Sequence, residues 1–401
     1  MNFETFNFHP RIMDNVIGMG YATPTPIQLQ AIPPIMQGQD LIGLAQTGTG
    51  KTAAFALPIL QQLLTKPAGQ VRALVLSPTR ELAEQTCAAF SALGRRTGIR
   101  NIAVYGGVDI NQQIRVLRNG VEIVVACPGR LIDHLWRGTI DLSNLEILVI
   151  DEADRMLDMG FLPDIQSILK CLMKKRQTLL FSATMPEAIK RLAQDILYEP
   201  VTIQIGRSLP ADTVSHALYP VNQHLKSSLL MALLSQTEMK SVLVFTRTKH
   251  RASQVAQQLQ KAGFSTTSLH GDLSQARRHA SLNGFRSGSY KILVATDIAA
   301  RGIDISRISH VINLDMPENT DDYIHRIGRT GRINNKGSAL TFVTKADEAT
   351  VQALERILHR TIERRVLQGF NYTASAPCLR QAQSSRTLQR PAMRKQCLAS
   401  R

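Results

Sequence analysis

Short apolar runs with little alternation recur along the chain: DLIGLA (40–45), VRALVLS (71–77), RNIAVYG (100–106), EIVVAC (122–127), LEILVID (145–151) and QTLLFSAT (177–184). SVLVFT (241–246), KILVAT (291–296), HVINLD (310–315) and SALTFVT (338–344) follow in the second half. Such runs, rich in Val, Ile and Leu, predict strands buried on both faces, as in a parallel sheet covered by helices. Segments of helical period separate them, and that alternation builds βαβ units. VTIQIGRSLPADTVSH breaks the rhythm with Gly206, Pro210 and few long apolar side chains. It predicts a linker at 206–213 between an N-terminal domain, 1–205, and a C-terminal one, 214–369. The second half repeats the grammar of the first without recognisable identity, so two α/β domains with mainly parallel sheets are expected. From Phe370 the pattern dissolves into Ala, Ser, Gln and Arg, too little apolar surface to offset ordering entropy, and 370–401 is expected to be a disordered tail.

Composition fits globular domains: 44% of the 401 residues are hydrophobic. Charge narrows the partners. With 47 Lys and Arg against 31 Asp and Glu, the formal net charge is +16 and the pI about 10.0, which favours a polyanion, nucleic acid before an anionic membrane. From Arg364 to Arg401 there are eight basic residues and no acidic one. The five cysteines form no Cys-x-x-Cys pair, which argues against a disulfide framework or a zinc site. The N-terminus lacks a charged flank leading into an apolar core, and no apolar run reaches ~18 residues. A soluble cytoplasmic protein without a membrane partner is expected.

AQTGTGKT, Ala45 to Thr52, joins the strand-like DLIGLA to the helical AAFALPILQQLL. In that context the loop Ala45, Gln46, Thr47, Gly48, Thr49, Gly50 can turn its N–H groups onto phosphate oxygens, with the following helix aiming its positive end at the same point. Lys51 can reach the β and γ phosphates, and the Thr52 hydroxyl can join a Mg²⁺ shell. Ala45 departs from the usual first glycine of the loop. ILVID then runs into Glu152, and the carboxyl ends of parallel strands are where ligands bind in open α/β sheets. Opposite a phosphate loop, Asp151 becomes a candidate Mg²⁺ residue and Glu152 a candidate base for the attacking water, rather than a merely solvated acidic pair.

Asp151-Glu-Ala-Asp154 resembles the signature of the DEAD-box ATP-dependent RNA helicases, most closely the compact bacterial RhlE-type branch. The resemblance covers about residues 3 to 345 and rests on an ordered set of motifs. The first half carries Gly20 to Gln28, the phosphate loop, Pro78-Thr-Arg-Glu-Leu-Ala83, Gly106-Gly107, Pro128-Gly-Arg130 and Ser182-Ala-Thr184. The second carries Phe245, Gln275-x-x-Arg278, Ala295-Thr-Asp to Ala300-Arg-Gly-Ile-Asp304 and His325-Arg-Ile-Gly-Arg-Thr-Gly-Arg332.

The resemblance implies two tandem RecA-like domains, with ATP and Mg²⁺ as cofactors. It implies that Gln28 reads adenine, a task suited to an amide that both donates and accepts, and that Phe3 and Tyr21 pack about the base. It makes Arg326 and Arg329 arginine fingers supplied by the second domain, and Asp304 a contact to the ribose. Stabilising γ-phosphate charge this way is worth about 10³ to 10⁵ in rate in other phosphoryl-transfer enzymes. Asp154, Ser182, Thr184 and His325 are implied to couple the two domains. Pro78, Thr79, Arg80, Gly107, Arg130, Arg278 and Thr296 resemble positions that track an RNA backbone, a mode that positions without reading sequence. Cys127 stands where the family usually has Thr, and a thiol is the weaker hydrogen-bonding group.

The expected function is an ATP-dependent RNA helicase that opens short duplexes locally or remodels RNA–protein complexes. It would act as a monomer, with ribosome-assembly or RNA-decay proteins as possible partners. The alternatives are an ATP-gated RNA clamp with little net unwinding, which intact Lys51, Glu152 and Arg329 argue against, and a DNA helicase on the same core.

Overall fold

A computed structural model describes residues 2–46, 48–65, 68–173, 175–205, 214–300, 308–331, 337–358 and 360–374. Thr47, Asp304, the 206–213 linker and the tail from 375 lie outside the described residues.

The N-terminal half forms one seven-stranded sheet from β1 (Leu41–Leu44), β2 (Ala73–Leu76), β3 (Asn101–Val104), β4 (Ile123–Ala126), β5 (Ile147–Ile150), β6 (Gln177–Ser182) and β7 (Val201–Gln204). The second half forms another from β8 (Val214–Pro220), β9 (Val242–Thr246), β10 (Thr266–Leu269), β11 (Ile292–Thr296), β12 (His310–Asn313), β13 (Gly337–Val343) and β14 (Glu363–Arg364). Their orders are β3-β4-β2-β5-β6-β1-β7 and β10-β11-β9-β12-β13-β8-β14, all pairs parallel. Strand for strand the second order is the first moved on by seven, so the repeated grammar of the sequence is a repeated topology.

Both faces of each sheet are covered. In β5, Ile147 and Val149 join one core layer while Leu148 and Ile150 join the opposite one, which is why the run is apolar without alternation. The first layer packs under the helices Pro26–Met36, Lys51–Leu63 and Arg80–Leu93, the second under Leu162–Lys170 and Glu187–Ile196. The strand ends left between the helices carry the candidate chemistry. The phosphate loop follows β1, Ser77 to Thr79 follow β2, Cys127 follows β4, Asp151 follows β5 and Ala183 follows β6.

Composition places the tail boundary too early. Phe370, Tyr372 and Ala374 pack against the second-domain core, and the Leu367 N–H donates to the Tyr372 hydroxyl at 2.8 Å. Residues 370–374 therefore belong to the packed domain.

Candidate active site

Gly48 and Gly50 have φ of 88° and 95°, and Gly50 caps the helix Lys51–Leu63 from the left-handed region. A Cβ on Gly50 would lie 2.6 Å from Gln28 Nε2. Ala45 is not among the positive-φ residues, so a methyl group there costs no backbone strain. Its N–H donates to the Ser182 carbonyl at 3.0 Å and anchors the loop to β6. The Gln28 amide ties the loop to the chain before it: Nε2 donates to the Gly50 carbonyl at 3.1 Å, and Oε1 accepts from the Thr25 N–H at 2.9 Å. Phe3 and Tyr21 stack with ring centres 6.1 Å apart, so the structure brings the implied base-packing pair together.

Lys51 is 6% exposed and its Nζ has no partner; Asp151 is 4% exposed and its Oδ1 has none either. Burial pushes the Asp151 carboxyl above the usual carboxylate range, with Lys51 opposing the shift and Glu152 adding to it. Buried polar atoms without a hydrogen-bond partner are costly. A triphosphate with a divalent cation would satisfy both, the ammonium against phosphate oxygens and the carboxylate against metal or its water.

Glu152 has φ 53° and ψ 51°, a sparsely populated conformation for a residue with a side chain, and caps the short helix Ala153–Asp158. Its carboxylate pairs with Arg155 one turn along. Asp154 accepts from the Ala183 and Thr184 N–H groups at 3.1 and 2.8 Å and from the Thr184 hydroxyl at 3.0 Å, while its own N–H donates to Ser182 Oγ at 3.1 Å. Asp154, Ser182 and Thr184 thus form one network inside the first domain. From the second domain, His325 reaches this region: burial and the charges of Arg155 and Arg329 lower its pKa, while Asp154 and Glu152 raise it.

Arg326 corrects the arginine-finger expectation. Its Nε and Nη2 donate to the two Asp297 oxygens at 2.6 and 2.7 Å, and Nη1 donates to Asn313 Oδ1 at 3.2 Å and the Asp315 carbonyl at 2.7 Å. The guanidinium also lies 5.1 Å over Phe245. With these donors committed to its own domain, Arg326 braces the turn that carries Arg329 and is not free to reach a phosphate across the cleft. Arg329 is buried beyond that turn.

The two halves meet at a cavity of about 450 Å³ lined by Pro78, Thr79, Arg80, Cys127 and Arg130 from the first domain and by Gly271 and Arg278 from the second. Gly107, at φ 83°, has the Arg80 guanidinium where a Cβ would stand. Arg130 Nη1 donates to the Val108 carbonyl at 3.2 Å. The Thr79 hydroxyl caps the helix Arg80–Leu93 by accepting from Leu82 N–H at 3.3 Å. Thr296 lines a second cavity of about 430 Å³ with Arg247 and Asp158, and Met159 lines both cavities. Arg278, expected on phosphate, donates Nε to Glu81 at 2.7 Å and Nη1 to the His270 carbonyl at 3.2 Å, and its Nη2 also pairs with Glu81. It serves domain contact in this arrangement. Arg80 to Gln275 at 3.3 Å and His279 to Glu84 at 2.9 Å reinforce the same seam.

Sequence reasoning missed Glu81, Glu84, His279 and Arg155. Glu81 and Gln275 lay inside quoted motifs, and the sole signal for Arg155 was its position one helical turn after Glu152.

Two matching parallel sheets, a phosphate loop on the first and a basic seam between them, define a two-domain, nucleotide-driven motor of the RecA-like class. The family described as DEAD/DEAH box helicase matches residues 25–192, and the helicase conserved C-terminal domain matches 225–334. The DEAD-box ATP-dependent RNA helicase CshA of Bacillus subtilis is 41% identical over 365 residues, 91% of this chain and 74% of that protein. RhpA of Helicobacter pylori is 43% identical over 363 residues, 90% of this chain and 73% of that protein. Among solved structures, S. cerevisiae Dbp5 bound to RNA and ADP BeF3 aligns with a TM-score of 0.83 at 31% identity, covering 91% of this chain and 95% of that one. The chain belongs to the DEAD-box ATP-dependent RNA helicases. No helix among the described residues is long and apolar enough to cross a membrane.

Proposed function

We propose that ATP and RNA together close the two domains, that closure strains one RNA strand so that a short duplex opens locally or an RNA–protein contact is remodelled, and that hydrolysis reopens the cleft. The observation that carries this reading is the buried pair Lys51 and Asp151, whose Nζ and Oδ1 lack hydrogen-bond partners, in a molecule that also has a cavity walled by both domains. Both ligands favour the closed state, and that shared preference is the energetic link between them. Lys51 binds the β and γ phosphates, Glu152 orients the attacking water and takes its proton, and Arg329 stabilises the transferring group. Thr52 and Asp151 would hold Mg²⁺, which supplies charge neutralisation at the phosphates when bound. Gln28, Phe3 and Tyr21 hold the adenine, while Asp154, Ser182, Thr184 and His325 relay nucleotide state. Pro78, Thr79, Arg80, Gly107, Arg130 and Thr296 bind the RNA backbone.

Within the family we assign the chain to the RhlE-type branch on the motif set above, acting in the cytoplasm as a monomer. ATPase stimulation by single-stranded RNA and DNA, with unwinding followed on the same duplexes, tests the function. RNA-preferring turnover with strand separation is expected. Preference for DNA overturns the substrate, and turnover without strand separation leaves the clamp.

A further inference from the structure

Arg155 has no part in the mechanism above, yet it is placed at its centre. Its side chain is 4% exposed and pairs with Glu152, itself 5% exposed, the next residue after the Asp151 carboxylate. On a solvated helix an i, i+3 pair would be worth ~0.2 to 0.5 kcal/mol. Here both members are buried, so neither water nor a rotamer change can replace the partner cheaply. The backbone fixes the geometry at both ends. Glu152 is held in the left-handed region at φ 53°, and the Arg155 N–H donates to Asp154 Oδ1 at 2.9 Å, which ties Arg155 to the network joining Asp154 to Ser182 and Thr184.

We propose that Arg155 is a positioning residue: its buried guanidinium fixes the Glu152 carboxylate in the orientation from which it meets the attacking water. A carboxylate on a flexible side chain beside a like charge would otherwise swing away from Asp151, and the guanidinium opposes that swing. From the second domain, His325 lies near enough to feel the charge of Arg155. The inference rests on the reading of Glu152 as base.

The test is steady-state, RNA-stimulated ATPase of the full chain carrying Arg155→Gln and Arg155→Lys, with Glu152→Gln as reference and nucleotide affinity measured with a fluorescent ATP analogue. The expected result for Arg155→Gln is a kcat lower by ~10- to 100-fold, the scale of a misplaced catalytic group, at unchanged KM and ATP affinity. Arg155→Lys should recover part of the loss. Unchanged or raised kcat in Arg155→Gln overturns the proposal, as does a loss of kcat matched by a proportional rise in KM. If the Gln variant loses its cooperative thermal transition, the Lys variant decides: reduced kcat at unchanged KM supports the proposal, and wild-type kcat overturns it. If Glu152→Gln itself turns over normally, the base assignment fails first and separately.

Discussion

Under the proposed function Lys51 and Glu152 serve the same phosphate, but replacing them should fail in different ways. Lys51→Ala removes ground-state and transition-state attraction alike, so ATP affinity should fall. Glu152→Gln keeps shape and burial but removes the base, so ATP and RNA binding should persist while kcat collapses by ~10² or more. Equal loss of nucleotide affinity in both variants would refute the division of roles. These residues were legible because each is fixed by a local pattern, a Gly-rich turn entering a helix or a strand end. Arg326 was not, because the sequence cannot tell a guanidinium aimed across a cleft from one committed to Asp297, Asn313 and Asp315 behind it. Away from the site, His216 is buried, stacks on Tyr323 and hydrogen-bonds its hydroxyl at 3.1 Å; burial, aided by Arg360, pushes its pKa down to about 4. A depressed folded-state pKa contributes stability that is present above the unfolded value near 6.5 and lost as pH falls toward 4. Urea unfolding should therefore weaken between those values, and His216→Gln should flatten that acid limb by at most about 3 kcal/mol. An unchanged slope would exclude His216 as its source.

Among the elements, burial decides what could be read. The central strands β2, β4, β5 and β6 are buried along their whole length and appear in the sequence as apolar runs. Of the four edge strands, only β3, inside RNIAVYG, does. β7 alternates partly buried, exposed and buried positions, β10 is Thr-Thr-Ser-Leu, and β14 is two exposed charged residues, so none presents an apolar run. Helix ends carry information of their own. Cys127 is the N-cap of the helix Pro128–Trp136 and makes no side-chain cap, whereas Thr79 and Thr248 cap the equivalent turns after β2 and β9. Cys127→Thr should add the missing acceptor and raise stability by ~1 kcal/mol. Because the same residue lines the cleft cavity, a hydroxyl there should also tighten RNA binding. Thermal melts and RNA titrations check the two effects separately, and a variant that gains neither would mean the thiol already fills the capping role. The thiol itself should be inert: burial and the nearby Glu81 push its pKa up to about 12. At pH 8, iodoacetamide should label the exposed Cys171 well before Cys127.

At the scale of the whole molecule the two sheets share one strand order, and this was legible only as repeated grammar, since the second domain keeps the topology without the phosphate loop. How the halves engage was not legible, because the groups that make the seam, Glu81 with Arg278 and Glu84 with His279, pair residues nearly two hundred positions apart. Glu81 and Arg278 are both buried in this arrangement, and opening the cleft would return them to water. Removing one member of such a pair strands the other, at ~3 to 5 kcal/mol, but only while the domains are closed. Glu81→Gln should therefore shift the population toward the open form. With one fluorophore on each domain, energy transfer at saturating ADP–beryllium fluoride should need at least ~10-fold more RNA to reach half-closure than in the wild type. Arg278→Gln in the same background should restore part of the closure, because no buried charge then remains unpaired. The salt dependence of RNA binding separates this from a phosphate role for Arg278: loss of one phosphate contact lowers the slope by about 1, whereas loss of a seam contact leaves it unchanged. Closure of Glu81→Gln at the wild-type RNA concentration would remove the seam from the closing energy and return Arg278 to the RNA face.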